Sequence, residues 1–258
     1  MKQREIALIT GATAGIGESF ARLLAAEGYN LVLVARDVPR LQAKAHELRE
    51  MFSVEVEVIG ADLSQAAQVT TVEARLRAQE SPIDILINNA GFGINKPFTQ
   101  SGLNEEVALL DVLVTAPMKL MHAALPEMKK RDRGIIINVS SVAGWIAGGT
   151  YSAAKSYLTV LSESLHTELR GTNVTIHALC PGFTRTEFHQ RGKMKMGALP
   201  SFMWLSADTV VADAWRAAKD GKAISVPGWQ YKILSSISRF GPRPMVRKIG
   251  MTVRKKQR

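Results

Sequence analysis

Tyr151 and Lys155 stand four positions apart in the run Tyr-Ser-Ala-Ala-Lys. On a helix that spacing puts both side chains on one face. A tyrosine phenol titrates near pH ~10, too high to exchange its proton readily at neutral pH. A neighbouring ammonium favours the phenolate and lowers that value. The pair therefore suits proton transfer to and from an alkoxide oxygen. A serine hydroxyl bonded to the same oxygen would position it. The run Asn138-Val139-Ser140-Ser141 offers two such serines. Taken alone, a Tyr and a Lys at this spacing also describe an ordinary solvated helix face.

A second group is glycine-rich. Residues 10–17 read Thr-Gly-Ala-Thr-Ala-Gly-Ile-Gly, with Gly11, Gly15 and Gly17. The first glycine serves a tight turn, and missing side chains let a pyrophosphate approach the backbone. A helix that starts here offers it free N–H groups and a partial positive charge. Glycines also mark plain turns, so the position of the cluster carries the weight.

The elements that must hold these groups are legible from periodicity. Short apolar, β-branched runs recur at Ile6–Thr10, Leu31–Ala35, Val54–Ile59, Ile83–Asn88, Ile135–Val139, Val174–Leu179 and Ile224–Val226. Helical patterns fall between them, near 16–28, 38–51, 65–79, 103–129, 151–170 and 208–219. This alternation predicts an α/β fold, a doubly wound parallel sheet of about seven strands with helices on both faces, in a single domain. Val54-Glu55-Val56-Glu57-Val58 alternates and leaves one polar face, which suits a strand near the sheet edge. The glycine cluster then lies between the first strand and the first helix. The core domain is expected to span 1–228, with a basic amphipathic extension over 229–258.

Charge sharpens that division. The 258 residues hold 33 Lys and Arg against 23 Asp and Glu, a net +10. Residues 1–220 are neutral, and residues 221–258 carry ten basic side chains and no acid. A nucleic-acid-binding domain with basic faces throughout is excluded. The single Cys180 forms no internal disulfide and fits a reducing compartment. The N-terminus lacks the apolar core of a secretory signal, and no stretch approaches the ~18 uninterrupted apolar residues of a spanning helix. A cytoplasmic protein is expected.

The spacing Gly-x3-Gly-x-Gly resembles the TGxxxGxG signature of the short-chain dehydrogenase/reductase family. Further motifs follow in order: Asp62-Leu63, Asn88-Asn89-Ala90-Gly91, Asn138-Val139-Ser140-Ser141, Tyr151-Ser152-Ala153-Ala154-Lys155 and Pro181-Gly182-Phe183-Thr184-Arg185-Thr186. The matches cover residues 6 to about 190. The resemblance implies a nicotinamide cofactor across the strand C-termini, and hydride transfer between it and a carbonyl or secondary alcohol. It implies that Ser141 orients the substrate oxygen, Tyr151 moves the proton, and Lys155 tunes Tyr151 and holds the nicotinamide ribose. The cofactor would lie on Gly11, Thr13, Gly15, Ile16 and Gly17, with Asp62 and Leu63 at the adenine and Asn89, Ala90 and Gly91 at the adenosine ribose. Pro181, Gly182, Thr184 and Thr186 would complete its cradle with Tyr151 and Lys155. Asn88 and Asn89 could equally satisfy backbone groups at a strand end. Relatives are usually dimers or tetramers, which implies a homo-oligomer.

Two departures stand out. Counting back thirteen positions from Tyr151, the family's usual spacing, lands on Asn138. The flanking residues mark Ser141 instead, ten positions away, with Ser140 as the alternative. A loop shortened by three residues, turning at Gly148-Gly149, accounts for the gap. Leu113 stands where many relatives carry an Asn of a proton relay. That change favours a second reading, a cofactor-binding sensor or scaffold with little or no turnover.

Cofactor choice turns on the end of the second strand. Ala35 replaces the Asp of NAD-preferring relatives, and Arg36 can pair with a 2′-phosphate. NADP(H) is expected, with Arg40 assisting, although Arg36 alone could be a solvated strand-end charge. Residues 187–206 occupy the place of the family's substrate lid and hold Phe188, His189, Met194, Met196, Leu199, Phe202, Met203, Trp204 and Leu205. Such side chains adapt to irregular apolar ligands and predict a lipophilic substrate, although they could equally pack on the core. His189 reads as a lid residue rather than a catalyst, and no spacing suggests a metal site.

The tail forms two stripes. Trp229, Ile233, Ile237 and Phe240 share a helical face, with Lys232, Ser236 and Arg239 off it. After Gly241-Pro242-Arg243-Pro244, a second stripe holds Met245, Ile249 and Val253. The first is expected to cap the domain or a neighbouring subunit, and residues 245–258 to contact an anionic membrane or another acidic surface.

Overall fold

A computed structural model describes residues 4–192, 194 and 199–247. Seven parallel strands form one sheet: β1 (Ile6–Thr10), β2 (Asn30–Ala35), β3 (Val56–Gly60), β4 (Ile85–Asn88), β5 (Gly134–Val139), β6 (Val174–Leu179) and β7 (Ile224–Ser225). Their order is β3-β2-β1-β4-β5-β6-β7. The chain starts mid-sheet, runs outward through β2 to β3, and returns across β1 to β4. The register pairs Leu8 with both Val32 and Leu86. The strand with alternating glutamates, β3, is indeed an edge.

Both faces of the sheet are covered, which explains the apolar runs. Ala7 and Ile9 of β1 face helices α1 (Gly15–Ala26), α2 (Val38–Phe52) and α8 (Ala207–Lys219) through Phe20, Leu24, Leu41 and Trp215. Ile6 and Leu8 face α3 (Ala66–Leu76), α5 (Ala116–Lys130) and α6 (Thr150–Glu168) through Val72, Leu120, Met128 and Leu158. Two helix starts follow ordinary capping rules: Asp37 accepts from the Arg40 N–H at 3.1 Å and Ser206 from the Thr209 N–H at 3.1 Å. Helix α1 has no side-chain cap, so its first turn points unsatisfied N–H groups toward the strand ends.

The helix expected over 103–129 is interrupted. Helix α4 (Leu103–Leu110) passes through a π-helical turn, Asp111–Thr115, before α5 begins. Leu113 sits in that turn and is buried. π-Turns are rare and cluster at functional sites. The continuous stretch Leu103–Lys130 is long and apolar enough to cross a membrane, but half of its most apolar window is buried in the fold. Its apolarity is that of a core helix.

The C-terminal helix α9 (Trp229–Phe240) corrects the expected orientation of its stripe. Trp229, Ile233, Ile237 and Phe240 face solvent, while Tyr231, Ser235 and Ser238 are buried against the domain. The physical reason is a close packing contact: a Cβ on Gly182 would fall inside the Tyr231 ring, so only glycine admits that ring. The Tyr231 hydroxyl donates to the Met203 carbonyl at 2.5 Å and accepts from the Phe183 N–H at 3.0 Å. Of the second stripe, Met245 is exposed; Ile249 and Val253, like Met196, lie outside the described residues.

His177 on β6 is buried between the Lys222 carbonyl (Nδ1, 2.7 Å) and the Ser225 hydroxyl (Nε2, 2.7 Å). Burial pushes its pKa down from 6.5 to about 4. The folded protein thus holds His177 neutral where the unfolded chain would protonate it. Its contribution is complete above pH 6.5 and is lost as pH falls toward 4, by up to about 3 kcal/mol. Urea unfolding across this window should show that loss, and a His177→Gln variant should show a shallower pH dependence.

Candidate active site

A cavity of about 990 Å³ opens at the C-terminal ends of the strands. Every residue assigned to the cofactor from the sequence lines it, with two exceptions, Gly17 and Arg40. Gly11 and Gly15 adopt φ of +68° and +58°, a backbone region that side chains disfavour. Gly17 has another reason to be glycine. A Cβ there would collide with the Gly11 carbonyl and the Asn89 amide, so Gly17 permits the loop to pack on itself.

Asn89 is the clamp of this region. Its Nδ2 donates to the carbonyls of Thr10 at 2.9 Å and Gly11 at 3.1 Å. Its N–H donates to Thr10 Oγ1 at 2.9 Å, and Ala90 N–H does the same at 3.1 Å. The backbone alternative weighed for Asn89 is therefore present in the structure. Asn88 is spent on Asn138, to which its Nδ2 donates at 2.8 Å. Asp62 accepts from the N–H and hydroxyl of Ser64, at 3.0 and 2.8 Å.

The two arginines differ. Arg36 is exposed at the cavity rim, 4.0 Å from Asp62 Oδ2. Arg40 is committed elsewhere: its two terminal nitrogens grip Glu187 at 3.0 and 2.5 Å, and it does not line the cavity. The expected assistance of Arg40 is corrected on that ground. Its hydrogen bond, with Arg191 as a second partner, holds Glu187 down at about 2. The pair ties α7 (Phe188–Arg191), the first helix of the segment expected to form a lid, to α2.

At the opposite end, Ser141, Tyr151 and Lys155 all line the same cavity. Ser141 Oγ accepts from the Ala143 N–H at 3.1 Å. Ser140 also borders the cavity, but its buried hydroxyl is engaged elsewhere: it donates to the Lys155 carbonyl at 2.7 Å and meets Thr159 Oγ1 at 2.6 Å. The hydrogen bonds therefore separate the two serines, the Ser140 hydroxyl anchoring α6 and the Ser141 hydroxyl bonding within its own loop at the cavity. The shortened loop turns where expected, with Gly149 at φ +83°. Lys155 Nζ donates to the Val139 carbonyl at 2.7 Å and lies 5.8 Å from the Tyr151 ring centre.

Electrostatics at this end depart from the sequence reading. Burial pushes Tyr151 up to about 12, against a smaller lowering by its hydrogen bond with Ser141. Burial also pushes Lys155 down to about 8. Desolvation sets both directions, because burial removes water from the charged form of each group. Leu113 does not line the cavity. It packs behind it, where a Cβ on Gly91 would stand 2.8 Å from Leu113 Cδ2. No amide is available at that point.

Residues 5–196 match the short chain dehydrogenase family. The chain belongs to the short-chain dehydrogenase/reductase family. It is 35% identical over 188 residues to an NADP-dependent 3-hydroxy acid dehydrogenase of Salmonella typhi, covering 71% of this chain and 74% of that one. Among solved structures it resembles a short-chain dehydrogenase from Sphingobium yanoikuyae in complex with NADPH, with TM-score 0.83, 33% identity and coverage of 90% and 92%. It also resembles the bulky-bulky ketone specific alcohol dehydrogenase from Comamonas testosteroni, with TM-score 0.79, 33% identity and coverage of 90% and 91%. The chain is thus an oxidoreductase of the short-chain dehydrogenase/reductase type, with a cradle that fits a nicotinamide cofactor.

The cavity includes residues the sequence reading passed over. Ile94, Leu109 and Ile146 add apolar wall, and Tyr231, Leu234, Ser235 and Ser238 of α9 close one side. Nothing local in the sequence marks α9 as a cavity wall, since its inward face is the more polar one. Of the residues expected in a lid, Phe188, His189 and Met194 reach the cavity, and Phe188 lies 5.8 Å from Tyr151 between ring centres. Trp204 packs on His189 at 5.2 Å instead, and Leu205 joins the core. Since Gly182 admits Tyr231, Gly182→Ala should displace the ring and loosen α9. Overpacking of this kind costs about 1–3 kcal/mol, measurable as a lower urea midpoint with unchanged slope.

Proposed function

We propose that this chain is an NADP(H)-dependent carbonyl reductase or alcohol dehydrogenase acting on a lipophilic substrate. The observation that carries this reading is that Ser141, Tyr151 and Lys155 line one cavity with the glycine turn and Arg36. When bound, the nicotinamide supplies a hydride to a carbonyl carbon, or accepts one from an alcohol. Gly11, Thr13, Gly15 and Ile16 would hold its pyrophosphate, where α1 presents free N–H groups. Arg36 would pair with a 2′-phosphate, and no carboxylate stands at Ala35 to repel it.

The chain's own groups handle the proton. The high pKa of Tyr151 keeps its phenol protonated at neutral pH, ready to donate to an alkoxide oxygen; in the reverse direction the phenolate accepts. Ser141 Oγ positions that oxygen. Lys155 has one N–H committed to Val139, which leaves two for ribose hydroxyls. The apolar wall of Ile94, Leu109, Ile146, Phe188, Met194 and Leu234 supports a lipophilic substrate. A homodimer or homotetramer belongs to this reading, supported by exposed Leu103, Val107 and Met118 on α4 and α5 and Tyr157 and Val160 on α6. The buried free thiol of Cys180 supports a cytoplasmic location.

Leu113 favours a second reading, a cofactor-binding sensor or scaffold without turnover. The two part on one experiment. Tyr151→Phe should lower NADPH-dependent reduction of bulky ketones by about 10²–10⁴-fold while NADPH fluorescence titration shows binding retained. Binding by the native chain with no turnover on ketones, aldehydes or 3-oxoacyl thioesters would select the sensor. For the cofactor, Arg36→Asp should shift preference toward NADH, and unchanged preference would remove the case for NADP(H). Alcohol oxidation should accelerate as pH rises through the alkaline range, because the phenolate of Tyr151 is its base.

A further inference from the structure

Helix α9 has two faces of different character. Its inner face lines the cavity. Its outer face holds Trp229, Ile233, Ile237 and Phe240, exposed by 69, 55, 42 and 84%. At 3.6 residues per turn the four fall within an arc of about 80°. Phe202 extends the stripe beside them: Gln230 Nε2 donates to its carbonyl at 3.0 Å, and it is also exposed. Met245 follows beyond the Gly241-Pro242 break. A contiguous apolar patch of this kind marks a surface that something covers.

The charges around it identify the cover. Lys232, Arg243 and Arg247 are exposed on the same segment, and no acidic side chain occurs from residue 221 to 258. A second copy of the stripe would bring cation against cation. An anionic lipid surface answers both the apolar stripe and the one-signed charge. The helix has 12 residues, too few to span a bilayer but enough to lie in its interface. An indole such as Trp229 favours that boundary.

We propose that α9 docks this chain on anionic membranes, with Trp229, Ile233, Ile237, Phe240 and Phe202 in the headgroup–acyl boundary. The wall of the cavity is then one helix away from lipid. Entry of a lipophilic substrate across that helix rests on the reductase reading; the docking does not.

The test is co-sedimentation of the full chain with vesicles of phosphatidylglycerol and phosphatidylcholine, or of phosphatidylcholine alone. The native chain should bind the anionic vesicles at least about tenfold more tightly, and high salt should weaken this. The Trp229→Ser/Ile233→Ser/Phe240→Ser variant should lose binding while keeping its NADPH affinity and unfolding midpoint, because none of the three side chains lines the cavity. If the variant binds as tightly as the native chain, the basic tail alone suffices and the proposal fails. It also fails if the native chain ignores anionic vesicles, or if sedimentation velocity shows the stripe consumed by self-association or held by an acidic protein. None of these outcomes depends on turnover.

Discussion

The site depends on how the chain crosses the gap between β1 and β4. The two strands leave their C-terminal ends in different directions, and a crevice opens where the winding reverses. Backbone bonds of the sheet end there, so side chains must take over. Thr10 Oγ1 accepts from two N–H groups of the β4 loop and donates to the Ile87 carbonyl, while the Asn89 amide bonds back to Thr10 and Gly11. These bonds hold the glycine turn and the β4 loop as one unit. Gly17 is part of the same unit, because any larger residue would separate the two.

Burial then sets the chemistry. Tyr151 and Lys155 are both moved toward their neutral forms, the phenol upward and the ammonium downward. A phenol held neutral suits the proposed role of proton donor near neutral pH. The two adjacent serines differ in the partners of their hydroxyls. The Ser140 hydroxyl bonds to α6 and fixes the helix that carries Tyr151 and Lys155, while the Ser141 hydroxyl bonds within the loop that borders the cavity.

The far wall is assembled from distant parts of the chain. Tyr231 lies on Gly182 and ties α9 to the loop after β6, while the Arg40–Glu187 pair ties the start of α7 to α2. Each contact joins segments more than forty residues apart in sequence. The segment after β6 and the C-terminal helix therefore shape one end of the cavity, while the clamp at Asn89 shapes the other.

The strand–helix alternation, the edge position of β3, the glycine turn and the Tyr151–Lys155 face were all legible in the residues, because each is encoded by local spacing and backbone preference. The tertiary structure decided what local spacing cannot. Arg40 looked available from its position, yet Glu187 holds it. Gly17 looked like a ligand contact, yet it makes room for Asn89. The π-turn at Leu113 is invisible in a continuous apolar pattern. The stripe of α9 reads as a buried face by hydrophobicity, but the contact of Tyr231 with Gly182 turns it outward. The common reason is that these outcomes are settled by competition between partners far apart in sequence, and only folding brings the competitors together.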